Sequence, residues 1–237
     1  TRFAGREHLL LERSGGIAVA VRIDPAEARD AWLQAPALLD TTGRWPVAIT
    51  SWSPDARGLW SQQVSALLDA RGNIGPDRPS VEAILERAGS IDVDAVLAPL
   101  ERNMWAKWLA KEAKGELSWA ASEMDYWFDP TPQPTAMVFL PSARSAATVA
   151  YESWYAEHSE LPAAALVALL ERWNAEYGAE VMAHWGTMLQ LRVAQPPRGI
   201  AQARALAREQ LLVAPCTAML PGTHPEMHAQ ALLQAKT

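Results

Sequence analysis

The feature that most constrains the fold is the almost uninterrupted apolar run at residues 17–23, which follows two glycines. Such a run, bounded by turn residues, predicts a strand buried on both faces. Asp24, Pro25 and Glu27 come next and predict a helix start, with Asp as the N-cap and Pro at the first helical position. A second apolar run at residues 45–50 completes a strand–helix–strand unit. The unit predicts a parallel pair of strands joined by a right-handed crossover.

The rest of the chain divides into a helical stretch and a second strand-containing stretch. Residues 54–134 have helical periodicity, and the longest helix there is predicted from about Asp94 to Lys114. Its predicted buried stripe is Leu97, Leu100, Met104 and Trp108, widened by Trp105 and Leu109. Strands are predicted at 136–140, 180–185 and 189–193, the last two joined as a hairpin, and helices at 162–177, at 200–213 and from Thr223.

These elements predict an α/β fold in which a mixed β-sheet of about five strands is flanked by helices. We expect one α/β domain over residues 1–237, with residues 54–134 as a helical insertion within it.

Charge and cysteine content limit the classes of function. The net charge is −6 and the sequence pI is about 5.4, which argues against a nucleic-acid partner because phosphate recognition needs a concentrated basic surface. Cys216 is the one cysteine, so a reducing, cytoplasmic location is expected. No segment has the length of apolar residues that a membrane span or a signal peptide needs, and no membrane partner is expected.

Tryptophan is the unusual component, at eleven residues against four tyrosines and three phenylalanines. Trp32, Trp45, Trp173 and Trp185 are assigned to the α/β core, where large aromatic side chains bury most of their area. Residues 119–129 instead mix aromatic and acidic side chains, which suits recognition of a basic protein partner. A solvated helix face with one buried aromatic side explains that composition equally well. The predicted partner-binding residues are Trp119, Glu123, Asp125, Tyr126, Trp127 and Asp129.

Three residues are the candidates for catalysis, and each has a simpler structural explanation. His184 on a strand suits a hydrogen-bonded core histidine or a general base. Glu209 suits a structural ion pair with an arginine, and Cys216 a small buried side chain. His224 and His228 have a spacing that places two imidazoles on one helix face, but Thr223 and Glu226 there form a helix-capping pattern. No metal and no cofactor are expected.

Several segments resemble a known family. They are residues 172–180 (RWNAEYGAE), 189–197 (LQLRVAQPP) and 205–210 (ALAREQ), with shorter likenesses at 31–32 and 42–47. The chain resembles bacterial proteins grouped as domain of unknown function 4253. Relatives often have Cys-Pro-Asp after the Glu-Gln pair, whereas this chain has Ala214-Pro215-Cys216, so no role is carried over to that cysteine. The resemblance implies one α/β unit and no particular activity.

Two functional hypotheses follow, and the sequence does not decide whether the protein is an enzyme. The first is a non-enzymatic protein-binding protein, in its narrowest form an immunity-type antagonist of a toxin. The second is a small-molecule hydrolase or transferase with a site near His184, Glu209 and Cys216. A ligand-binding module without chemistry lies between them. The sequence leaves the oligomeric state open.

Overall fold

The computed structural model describes residues 3–13, 15–50, 78–120, 129–130, 133–185, 188–219 and 223–234. Its strands are β1 (His8–Arg13), β2 (Gly16–Ile23), β3 (Trp45–Thr50), β4 (Thr135–Leu140), β5 (Glu180–Trp185) and β6 (Met188–Arg192). Its α-helices are α1 (Ala28–Gln34), α2 (Leu39–Thr42), α3 (Val81–Ala88), α4 (Val93–Ala113), α5 (Thr148–Tyr151), α6 (Ala163–Tyr177), α7 (Ile200–Val213), α8 (Cys216–Met219) and α9 (Pro225–Gln234).

The strands form one mixed sheet in the order β1-β2-β4-β3-β5-β6. The prediction of an α/β fold with a mixed sheet is confirmed, with six strands in place of about five. The predicted direct pairing of β2 with β3 is wrong. Both strands pair antiparallel with β4, which lies between them, so they run in the same direction without touching. The parallel pair is β3 with β5.

Strand β1 is the strand that the sequence reasoning missed. It pairs antiparallel with β2 along its whole length, from His8 opposite Val21 to Arg13 opposite Gly16. A strand at the edge of a sheet carries charged residues among its apolar ones, which weakens the apolar signal. β1 forms one edge of the sheet, and β6 forms the other.

The core lies on both faces of the sheet. The larger cluster packs α3, α4, α6 and α7 against one face and includes Trp108, Trp154 and Trp173. The smaller cluster packs α1 against the other face and includes Trp32, Trp45 and Trp185. The indole N–H groups of Trp32 and Trp45 donate to the carbonyl oxygens of Pro46 and Val181, at 3.0 and 2.9 Å. The assignment of these tryptophans to the core is therefore confirmed.

Helix α4 begins after Asp92, whose carboxylate accepts a hydrogen bond from the Ala95 N–H, as expected of an N-cap. Leu97, Leu100, Met104 and Trp108 form its buried stripe, as predicted.

The prediction that Trp105 and Leu109 widen this buried stripe is wrong. Their side chains are 38% and 61% exposed. Because α4 lies on the surface of the helical layer, it buries one narrow stripe and leaves its outer side in solvent.

Helices α6 and α7 hold the C-terminal part of the chain against β5 and β6. Helix α6 ends at Gly178, which has φ of 60° and whose N–H donates to the Asn174 carbonyl. A Cβ atom on Gly178 would lie 2.8 Å from the Cβ of Ala194, so this turn needs glycine for space as well as conformation. The predicted helices at 162–177 and 200–213 are both present.

Candidate protein-binding surface

The outer side of α4 presents an apolar stripe to solvent. Trp105, Leu109 and Glu112 share one side of the helix because they are spaced by four and then three residues. The indole N–H of Trp105 donates to the Glu101 carboxylate at 3.0 Å, which fixes the ring along the helix. The stripe is therefore an ordered apolar surface.

Trp119 extends this stripe beyond the end of α4. Its side chain is 60% exposed, yet one face of the indole is stacked on the ring of His224, with centroids 3.8 Å apart and an angle of 15° between the planes. The His224 N–H donates to the Ser118 carbonyl at 2.8 Å, and Ser118 pairs with Thr223 in a parallel bridge. These backbone contacts thus hold the two rings against each other. The other face of the indole is available to a partner.

His224 connects Trp119 to the α4 stripe. Its Nδ1 accepts a hydrogen bond from the Glu226 N–H at 3.1 Å, so the neutral ring carries its proton on Nε2. Nε2 lies 3.7 Å from the Glu112 carboxylate. His224, and not Thr223 as the capping pattern predicts, therefore accepts a bond at the start of α9. We define the Trp119 surface as Trp105, Leu109, Glu112, Trp119 and His224.

Buried polar contacts under α9 keep this surface in place. His228 is fully buried, and its Nε2 donates to the Gln210 side-chain oxygen on α7 at 2.8 Å. Burial lowers the pKa of His228 to about 4. At the surface, Arg204 donates two hydrogen bonds to the Glu226 carboxylate, at 2.7 and 2.8 Å. Helix α9 is thus fixed to α7 by a buried hydrogen bond and by an ion pair at the surface.

Charged residues lie on both sides of α4. By the helical period, Lys107 projects from the side opposite to the apolar stripe, whereas Arg102, three residues before Trp105, lies on the stripe side. On the stripe side, Glu101 is neutralised by Arg208, whose hydrogen bonds lower the pKa of this carboxyl to about 2. The carboxylate of Glu112 has the His224 ring beside it. The Trp119 surface therefore combines exposed aromatic area with a carboxylate.

Two of the six predicted partner-binding residues lie in the described part of the chain. Trp119 is exposed and part of the surface, and Asp129 is also exposed. Glu123, Asp125, Tyr126 and Trp127 lie outside the described residues. Sequence reasoning missed Trp105, Leu109 and His224. The spacing of Trp105 and Leu109 with Glu112 could have indicated them, because it defines a second stripe beside the buried one.

The three candidate catalytic residues have different partners. His184 is fully buried on β5, with Nε2 3.2 Å from the Ser153 carbonyl oxygen. The Cys216 sulfur lies 2.6 Å from the Tyr155 hydroxyl. His184 and Cys216 therefore both contact the segment 153–155.

Glu209 lies in a separate network on the helical layer. Its carboxylate accepts hydrogen bonds from Arg172 and from the Trp173 indole, at 2.8 and 2.6 Å. Arg172 also donates to Asp94 on α4. These contacts fit a structural role for Glu209, and a shared catalytic site for the three residues stays a prediction.

A small cavity lies where the family-like segments meet. Its volume is about 50 Å³, and it lies between the end of α6, β6, α7 and α9. Pockets for small molecules are about 300–1,000 Å³, so this cavity has the size of a packing defect. Its lining includes Trp173, Tyr177, Leu191, Pro197 and Gln210.

Comparison with known proteins finds a family similarity in the C-terminal part of the chain. Residues 136–237 match the family described as Domain of unknown function (DUF4253). The match covers 102 of the 237 residues, so the similarity to this family is a property of the C-terminal part of the chain. No curated protein and no solved structure matches the chain. The family resemblance is therefore confirmed over residues 172–180, 189–197 and 205–210, while the likenesses at 31–32 and 42–47 lie outside the matched residues.

The DUF4253 segment runs from β4 to α9 and contributes only His224 to the Trp119 surface. Trp105, Leu109, Glu112 and Trp119 precede it in the chain. The surface therefore forms where the family segment meets a neighbouring helix. Among the described helices, none has the length and apolar character to cross a membrane.

Proposed function

We propose that this protein acts by binding another protein through the Trp119 surface. The observation that supports the proposal most strongly is the exposure of Trp119 on a rigid support, 60% open to solvent while stacked on His224. Rigid aromatic side chains contribute most of the energy at protein interfaces because they bury large areas with little loss of rotamer freedom. Trp105 and Leu109 add apolar area beside it.

The charges of the surface favour a basic partner. Glu112 lies at the C-terminal end of the stripe beside His224. Lys107 projects from the opposite side of α4, and Arg102 is the one positive charge of α4 on the stripe side. The whole chain carries a net charge of −6. Such a distribution attracts a positively charged partner and speeds its encounter. The narrower hypothesis, that this partner is a toxin which the protein neutralises, rests on the same surface and depends on the partner's identity.

Photo-crosslinking in the cells that naturally produce the protein tests this proposal. In the first variant, a photoreactive phenylalanine derivative replaces Leu109, which is exposed on the stripe. In the matched control variant, the same derivative replaces Lys107, which is exposed on the opposite side of the same helix. We expect a crosslinked species of defined mass with the probe at position 109 and none at position 107. Adding Trp119→Ala should remove it.

The identity of the crosslinked protein then decides the outcome. The purified partner should bind the purified protein with one-to-one stoichiometry, and more weakly as the salt concentration rises. Equal crosslinking at positions 107 and 109, or crosslinking that Trp119→Ala leaves unchanged, would contradict the proposal. A partner that is an acidic protein would overturn its charge argument.

A further inference from the structure

The open edge of β1 carries a second exposed apolar patch, on a different part of the molecule. Leu10 in β1 is 66% exposed, and Ile17 in the neighbouring β2 is 45% exposed. Within the described part of the chain, β1 pairs only with β2. An edge strand with exposed apolar side chains is a ready template for pairing with another strand.

The backbone pattern shows which residues of β1 face outward. The Arg22 N–H donates to the Glu7 carbonyl at 2.8 Å, so the opposed residues 7 and 22 form a hydrogen-bonded pair of the ladder. Hydrogen-bonded and non-bonded pairs alternate in an antiparallel ladder. His8, Leu10 and Glu12 are therefore the residues of β1 whose N–H and C=O groups point away from β2.

We infer that β1 pairs antiparallel with β1 of a second copy of this chain, with Leu10 opposite Leu10 at a two-fold axis. Antiparallel pairing of one strand with its own copy satisfies two-fold symmetry, the commonest arrangement of protein dimers. Two β1 strands can exchange hydrogen bonds only if outward-facing residues oppose outward-facing residues. This requirement excludes every register that is shifted by one residue.

Side-chain complementarity selects one of the remaining registers. With Leu10 opposite Leu10, His8 of each copy lies opposite Glu12 of the other, so an imidazole faces a carboxylate on both sides of the leucine pair. Neither side chain forms an ion pair within the described residues. A shift by two residues in one direction would place Leu10 opposite Glu12 and leave His8 without that carboxylate.

The other edge of the sheet shows how this protein protects an edge from such pairing. The register between β5 and β6 shifts between Val181 and Ala183, which breaks the regular ladder. Arg192 at the end of β6 pairs with Glu180, and its guanidinium lies 5.7 Å from the centroid of Trp32. β1 has an unbroken register with β2 and an exposed leucine at its centre. The contrast between the two edges indicates that β1 is suited to pairing with another strand.

Sedimentation equilibrium of the full chain, over concentrations from about 1 to 500 µM, tests this inference by the molar mass in solution. We expect a reversible dimer for the native sequence. Leu10→Pro should abolish it, because proline removes an N–H that β1 directs away from β2 while its backbone conformation suits an edge strand. Circular dichroism checks that this variant is folded.

A charge exchange keeps the test decisive if the proline variant fails to fold. His8→Glu places two carboxylates opposite each other at both ends of the pairing and should weaken the dimer about tenfold. The double variant His8→Glu/Glu12→Lys restores opposite charges and should return the dissociation constant to within about threefold of the native value.

A molar mass of one chain at every concentration would overturn the inference. So would a dimer that is equally strong in folded Leu10→Pro, or a double variant that is no stronger than His8→Glu alone.

Discussion

The two exposed apolar surfaces of this protein differ in what they offer to a partner. At the Trp119 surface, the backbone of α4 is hydrogen-bonded within its own helix, so only side chains are available for recognition. At the β1 edge, the backbone groups of His8, Leu10 and Glu12 point away from β2. Of these groups, the Glu12 carbonyl accepts a hydrogen bond from the Arg13 side chain at 3.3 Å. A side-chain surface can discriminate among partners by shape and charge, whereas a strand edge accepts any strand of suitable register. The difference suits the first surface to a separate protein and the second to a copy of the same chain.

The two surfaces also differ in what supports them. The β1 edge belongs to a hairpin of neighbouring strands, so its support is local in sequence. The Trp119 surface joins α4 to residues 223–234, more than 100 positions further along the chain. It is therefore present only when α9 is packed on α7. Changes in that packing should affect the Trp119 surface and spare the pairing groups of β1.

The largest expected effect compares two consecutive residues of α4, one buried and one exposed. Trp108 is fully buried, so Trp108→Ala should lower the free energy of unfolding by about 3–5 kcal/mol through lost contacts and a cavity. Leu109 is mostly exposed, and Leu109→Ala should change it by less than about 0.5 kcal/mol. Urea denaturation of both variants measures the difference. A cost of more than about 2 kcal/mol for Leu109→Ala would show that this side chain is part of the core.

Acid should destabilise the support of the Trp119 surface through His228. Its pKa is about 4 in the folded protein because of burial, against an ordinary value near 6.5. Between these values the unfolded chain binds a proton that the folded chain does not. The stabilisation is therefore complete above pH 6.5, declines as the pH falls towards 4, and amounts to about 3 kcal/mol in total.

The control for the acid prediction is His228→Gln, which keeps a hydrogen-bond donor for Gln210 and removes the titrating ring. Unfolding free energies of both proteins at pH 7 and pH 4 give the comparison. The native protein should lose about 3 kcal/mol more than the variant. Equal losses would show that His228 does not control the acid stability of this region.

The sequence predicted those parts of the fold that depend on local patterns. The periodicity of residues 162–177 and 200–213 identified α6 and α7, because each helix buries one long apolar stripe. The order of the strands was not predictable in this way. Placing β4 between β2 and β3 depends on contacts between residues 85–120 positions apart, which no local pattern specifies.

The candidate site was predicted only in part for a related reason. The composition around Trp119 suited either a partner-binding surface or a helix face with one buried aromatic side, and in the structure Trp119 is 60% exposed. Its stacking on His224 joins residues 105 positions apart, and the sequence suggested helix capping for the histidine region instead. Trp105 and Trp108 look alike in the sequence. Their opposite environments follow from which side of α4 meets the core.

The most direct test of binding through the Trp119 surface measures the affinity of the crosslinked partner by isothermal titration calorimetry. The native protein is compared with Trp119→Ala, and Lys107→Ala is the matched control. Removing an aromatic residue at the centre of an interface costs at least about 2 kcal/mol, so Trp119→Ala should weaken binding about thirtyfold or more. Lys107→Ala should bind within about twofold of the native protein, because it lies on the opposite side of α4. Native-like affinity for Trp119→Ala would contradict the central claim that this protein binds its partner through the Trp119 surface.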